Sequence, residues 1–226
     1  MNSENLPLLI FDLDGTLIDS APDIHFAINQ MLRSHGRNEV DLETLISHIG
    51  DGLVKLVNDF FPEFPVDSAE NAQRVEEFLD IYRDEHLTSH TQLYPGVRDF
   101  LQRYSGPKAI VTNKNIDPTM RILHHFEIHS FGWTKIFGGD SLPERKPSGL
   151  PLHEVMKAAK RGPEHTLMIG DGRPDMKAAG AVGCKKVAVH YGYSKPEELE
   201  VFNPDYTLSK FADLQEILVQ NFLMKT

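Results

Sequence analysis

Leu8-Leu9-Ile10-Phe11-Asp12-Leu13-Asp14-Gly15-Thr16 is the stretch on which the fold of this chain turns. Four apolar residues without polar alternation are what a parallel strand covered on both faces requires, and Gly15 then breaks the chain direction. Asp12 and Asp14 are thereby set on the lip of a buried strand, where open α/β sheets keep their chemistry. Side chains two apart in an extended segment leave on the same side, so both carboxylates can serve one site. Two carboxylates at close quarters repel, and a divalent cation between them or a proton on one relieves the repulsion. The pair therefore predicts Mg²⁺, or a split into nucleophile and acid. The plainer alternative is an Asp-rich turn in which Asp14 caps a helix.

Working outward, the chain from about Ala21 to His90 shows helical spacing and almost no strand-like runs. Asp23 or Ser20 can cap a first helix carrying Ile24, Ile28, Met31 and Leu32. A second is predicted near Leu42 to Ile49, and a third carries Leu53, Leu56, Val57 and Phe60. A long amphipathic fourth runs from Ser68 to about Leu87. From Pro95-Gly96 onward helix and strand alternate, which implies parallel pairing with crossover helices. The predicted strands are Lys108–Thr112, Lys135–Phe137, Thr166–Gly170, Lys186–Val189 and Asp205–Leu208, with a terminal helix from about Lys210. The fold class is therefore α/β, a Rossmann-like parallel sheet with an inserted small helical cap. The expected domains are a discontinuous core, residues 1–17 and 92–226, and a cap, residues 18–91.

With 226 residues, the chain can bury a substantial core without staples. A formal net charge of −10 argues against nucleic acid as the main partner, because phosphate backbones are held by lysine and arginine stripes. A small anion is still compatible where one pocket gathers a lysine, amides and a metal. The single cysteine, Cys184, excludes an internal disulfide and reads as a buried small side chain. Met1 to Leu6 shows no secretion signal and no run approaches a membrane span, so a cytoplasmic setting is expected. The 11 histidines include His124, His125 and His129 near one helix end, which read as surface or packing residues rather than ligands.

Three further clusters fall just after or between predicted core elements. Thr112-Asn113-Lys114 ends a strand with a hydroxyl and an amide, groups suited to phosphoryl oxygens. Lys146-Pro147 precedes the Leu150 helix, and a fixed lysine is what a dianionic ester beside carboxylates requires. Gly170-Asp171-Gly172-Arg173-Pro174-Asp175 places two acids at i and i+4 around a sharp turn. Taken singly, each has an ordinary explanation in a turn, a solvated surface or a helix cap.

Together the four clusters resemble the haloacid dehalogenase superfamily, and the resemblance spans essentially the whole chain. It implies that Asp12 attacks phosphorus to form an aspartyl-phosphate and that Asp14 is the general acid, then base. Thr112 and Asn113 would hold phosphoryl oxygens, and Lys146 would neutralise charge between nucleophile and phosphate. Asp171 would bind Mg²⁺ with Asp12 and the Asp14 carbonyl, while Asp175 would orient Lys146 or a metal-bound water. Gly172 departs from the Ser or Thr that members commonly carry after the metal-binding aspartate. The presence of Asp14 separates phosphatase from dehalogenase, since carbon–halogen displacement needs no acid for its leaving group.

Within the superfamily the chain resembles phosphoglycolate phosphatases, through Asp14 to Ser20, Ile49-Gly50-Asp51-Gly52-Leu53 and Val111 to Lys114. Gly50-Asp51-Gly52 would sit over the active site, and Lys55, His25 and Arg33 are cap residues that could meet a substrate carboxylate. The arginine expected ahead of the glycine loop is replaced by His48. The implied activity is Mg²⁺-dependent hydrolysis of a small phosphorylated metabolite by a monomer or weak homodimer. A phosphosugar mutase and a non-catalytic binding protein are the alternatives.

Overall fold

The computed structural model describes residues 6–84 and 87–223. Residues 85–86, 224–226 and 1–5 lie outside them, and with the last the reading of no secretion signal. The strand Leu8–Phe11 (β1) forms as the sequence requires, with all four side chains wholly buried. It is the third strand of a six-stranded parallel sheet ordered β5-β4-β1-β6-β7-β8. The others are Lys108–Val111 (β4), Lys135–Phe137 (β5), Thr166–Gly170 (β6), Lys185–Val189 (β7) and Tyr206–Leu208 (β8). Phe11 pairs with Ile110 of β4 and Ile169 of β6, so three strands end level with one another beside Asp12.

Alternation along β1 feeds two cores. Leu9 and Phe11 join Ile110, Leu167, Ile169 and Val187 on one face, while Leu8 and Ile10 meet Ala109, Val111, Met168, Leu152 and Val155 on the other. Each such side chain taken from water stabilises the fold by about 1.5–3 kcal/mol, which is why β1 tolerates no polar alternation. The crossover helices covering the faces are Val97–Arg103 (α5), Ile116–His125 (α6), Leu150–Ala159 (α7) and Arg173–Val182 (α8).

Among the described residues, four helices lie between β1 and α5: Ala21–Ser34 (α1), Leu42–Ile46 (α2), Leu53–Phe60 (α3) and Ala69–Asp84 (α4). They pack on one another through Ile28, Met31, Leu56, Val57, Phe78 and Leu79. Two short strands flank them, Ile18–Asp19 (β2) and Gln92–Leu93 (β3), paired antiparallel. Two residues are too few for a periodicity signal, so this ribbon is invisible in the sequence.

Several boundaries move for local reasons. Ser20 occupies the N-cap of α1 without a side-chain cap, its hydroxyl donating instead to Asp14. Asp23 does not cap α1 either. It is buried and accepts from the backbone N–H groups of His90 and Thr91 and from the Thr91 hydroxyl, fastening the returning chain. The second helix stops at Ile46, short of Gly50 at φ +125°, a backbone angle that suits glycine. The terminal helix, Asp213–Leu218 (α10), starts later than Lys210 because Asp213 accepts from the N–H groups of Ser209 and Lys210 in a turn. The short helix Pro196–Glu200 (α9) carries only one buried residue, Leu199, too little for a recognisable apolar face.

Candidate active site

At the carboxyl ends of β1, β4 and β6 the chain places Asp12, Thr112 and Asp171, beside the strand from which sheet order runs outward in both directions. Lys146, in the loop before α7, reaches into the same point and is almost wholly buried. Its Nζ lies 2.9 Å from Asp12 Oδ1 and 2.6 Å from Asp175 Oδ1. Four sequence-distant loops thus converge, as the spacing of the motifs implies.

Three carboxylates face one ammonium here. Carboxylate oxygens of Asp12, Asp171 and Asp175 all lie within 4.8 Å of one another. Burial raises the Asp12 carboxyl well above the usual carboxylate range, and Asp175 adds to the rise against the opposing Lys146. Burial, then Asp175, pushes Asp171 up to about 7. Burial works against the Lys146 ammonium, yet Asp12 and Asp175 together raise its pKa above that of a free lysine. Excess negative charge among hard oxygen donors is the setting a divalent cation neutralises, and the residues fit one. Both oxygens of Asp175 are engaged, Oδ1 by Lys146 and Oδ2 by the Gly172 N–H at 2.9 Å, so it closes the start of α8 and aims the lysine.

The acid of the Asp171 loop is not a helix cap. Its Oδ1 accepts from the Thr16 hydroxyl at 2.8 Å and its Oδ2 from the Tyr193 N–H at 2.8 Å. The chain is stripped of side chains around it. A Cβ on Gly15, which sits at φ +78°, would come within 2.1 Å of Asp171 Oδ2, and one on Gly192 within 2.3 Å of its Cβ. Thr16, Gly192 and Tyr193 escape sequence reasoning. Thr16 hides as the last letter of the Asp-x-Asp-Gly-Thr string, while Gly192-Tyr193 acts from 21 and 22 residues beyond Asp171.

Asp14 Oδ1 accepts from Ser20 Oγ and from Lys114 Nζ, the latter at 2.9 Å. Lys114, quoted in the motif without a role, is partly buried. Burial opposes its charge, but Asp14 and Tyr82 raise its pKa above the usual lysine value. Thr112 Oγ1 accepts from the Lys114 N–H at 3.1 Å, which leaves its proton free to point elsewhere. The Asn113 side chain lies where three loops meet. Its Nδ2 donates to the Gly50 carbonyl at 3.0 Å and the Lys146 carbonyl at 2.9 Å, tying the loop after β4 to the glycine loop and the lysine loop.

These groups open into a cleft. Its floor is Asp12, Asp14, Thr112, Lys114 and Asp171, and its walls are Ile24, Leu53, Leu56, Phe78, Leu79 and Tyr82 from α1, α3 and α4. Gly50 and Gly52 line it, as the glycine-loop motif implies, but Asp51 does not. Neither do the three cap residues offered for a substrate carboxylate. His25 Nε2 lies 2.7 Å from the Val40 carbonyl, Arg33 pairs with Glu39 and Lys55 with Asp59. His48 does line it, with Nδ1 2.9 Å from Asp59 Oδ2. Cys184 is buried, with its thiol pushed up to about 12, chiefly by burial, as expected of an inert side chain.

The family model for haloacid dehalogenase-like hydrolases matches residues 9–189. A phosphoglycolate phosphatase of Chromobacterium violaceum is 35% identical over 224 residues, covering 96% of this chain and 99% of the relative. A solved structure from Haemophilus somnus, described as a "predicted phosphoglycolate phosphatase", superposes with a TM-score of 0.85 at 30% identity over 94% of this chain and 98% of that one. A haloacid dehalogenase-like hydrolase from Streptococcus pneumoniae superposes with a TM-score of 0.81 at 27% identity, over 95% and 99%.

Proposed function

The chain belongs to the haloacid dehalogenase-like hydrolases, and from that premise we propose that it is a Mg²⁺-dependent phosphatase of small organic phosphomonoesters, phosphoglycolate foremost. The observation that carries this is the Asp12–Lys146–Asp175 chain beside Asp171, a pre-aimed carboxylate with a fixed ammonium at its oxygen. A carboxylate is a poor nucleophile at a dianionic phosphate because like charges repel, and Lys146 offsets that repulsion at the attacking atom. The bound divalent cation supplies further neutralisation of the phosphoryl oxygens and of the crowded acids. Asp12, the Asp14 carbonyl and Asp171 would hold it.

In the reaction so read, Asp12 attacks phosphorus, the ester oxygen departs with a proton from Asp14, and an aspartyl-phosphate remains. Asp14 then takes a proton from the water that breaks it. Thr112, Asn113 and Lys146 hold the phosphoryl oxygens, and Asn113 Nδ2 also ties down the lysine loop. Residues 18–91 serve as the cap and residues 1–17 and 92–226 as the core, the cleft lying between. Among the described residues no helix is long and apolar enough to cross a membrane; with a small metabolite as substrate, a cytoplasmic monomer or weak homodimer is the setting proposed. The test is phosphate release with Mg²⁺ across phosphoglycolate, pyrophosphate, sugar phosphates and nucleoside monophosphates. Release from phosphoglycolate that Asp12→Asn abolishes supports the reading, and undiminished release in that variant ends it.

A further inference from the structure

We propose that Lys114, backed by Tyr82, is the receptor for an anionic group on the leaving-group side of the substrate, and so determines specificity; this rests on the phosphatase reading above. Lys114 is the only lysine or arginine among the described residues that line the cleft. Its ammonium lies 2.9 Å from Asp14, the group read as serving the departing oxygen, so whatever is attached to that oxygen passes beside it. The cations of α1 and α3 that a sequence reading offers instead are paired with Glu39 and Asp59 and do not line the cleft. His48 faces the cleft with Asp59 already at its Nδ1.

The remaining walls are apolar, and a carboxylate entering such a cleft needs both a counter-charge and hydrogen-bond donors. Lys114 supplies three donors and directs one of them at Asp14 Oδ1. Exchanging one carboxylate for another leaves the ammonium paired throughout, whereas a neutral leaving group offers no such exchange. Tyr82 adds an independent sign. It is 2% exposed, its ring centroid lies 5.0 Å from the Lys114 ammonium, and its buried hydroxyl meets only that ammonium, so its own proton has no acceptor. Buried hydroxyls are ordinarily satisfied. A carboxylate seated on Lys114 would take that donor too, so Tyr82 from α4 and Lys114 from the loop after β4 make a two-sided seat.

The test compares phosphoglycolate with 2-hydroxyethyl phosphate, the same ester ending in a hydroxyl. Wild-type enzyme with Mg²⁺ should favour the carboxylate ester in kcat/KM by at least about 10-fold. Lys114→Met should collapse that ratio by about 10- to 100-fold, the worth of a charge-assisted hydrogen bond, whatever it does to the absolute rates. Tyr82→Phe, which leaves Asp14 untouched, should lower it by up to about 10-fold. Calorimetric binding of both esters to Asp12→Asn, with and without Lys114→Met, reads the same preference without turnover. A ratio unchanged in either folded variant, or a wild type that does not discriminate, overturns the assignment. Failure of the phosphatase reading is a separate result, the absence of phosphate release from wild type with either ester.

Discussion

Removing divalent cations should make the folded protein weaker as pH rises from 5 to 7.5, and the source is Asp171. Burial and Asp175 hold its carboxyl at about 7 in the metal-free fold, against about 3.9 for a free aspartate. An acid whose folded pKa is raised binds its proton more tightly folded than unfolded, so stability is lost as pH climbs from the unfolded value through the folded one. Taking those two values, the loss between pH 5 and pH 7.5 is roughly 2 to 3 kcal/mol. At about 2–4 °C per kcal/mol for a chain of this size, the melting temperature in chelator should fall by about 5–10 °C over that window. A divalent cation binds the ionised carboxylates, so adding Mg²⁺ should stabilise far more at pH 7.5 than at pH 5. Thermal unfolding followed by circular dichroism in EDTA and in saturating Mg²⁺ reads both slopes. Asp171→Asn should reduce the EDTA slope, leaving the part contributed by Asp12, whose carboxyl burial also raises. A flat slope in the wild-type protein, a slope undiminished in Asp171→Asn, or equal Mg²⁺ stabilisation at both pH values would refute the reasoning.

Lys146→Met should destabilise the metal-free protein by about 3–5 kcal/mol, because it leaves Asp12 and Asp175 buried without their ammonium; chemical denaturation measures it. Thr16→Val should weaken metal binding about 10- to 100-fold through loss of the hydroxyl that holds Asp171 Oδ1, read by Mg²⁺ titration of activity. Gly15→Ala should give protein that is misfolded or devoid of metal binding, since its Cβ would stand 2.1 Å from Asp171 Oδ2 at a φ of +78°; a soluble, active variant would show that the loop can move aside.

The strands and the site's acids are legible in the sequence for one reason. A parallel strand is a short unbroken apolar run, and each run here ends where chemistry begins, at Asp12, Thr112 and Asp171. Lys146 has no such marker, since an isolated lysine usually stands in solvent, and only its place among the other motifs singles it out. What the sequence hides is partnership. Nothing local tells that Asp23 would hold His90 and Thr91 across 67 and 68 residues, or that Tyr193 would both donate to Asp171 and receive the N–H groups that open α1 at 2.8 and 2.9 Å. The candidate cap cations misled for the same reason. Charge on a helix is visible in a sequence, but whether it turns inward or pairs with Asp59 and Glu39 is decided by packing.

The most direct test of the central claim is to quench the enzyme during turnover of phosphoglycolate with Mg²⁺, reduce with borohydride and map the peptides by mass spectrometry. An acyl phosphate is reduced to the alcohol, so homoserine should be found at position 12 and nowhere else. Phosphate release with an unmodified Asp12, or reduction at another carboxylate, would contradict the account.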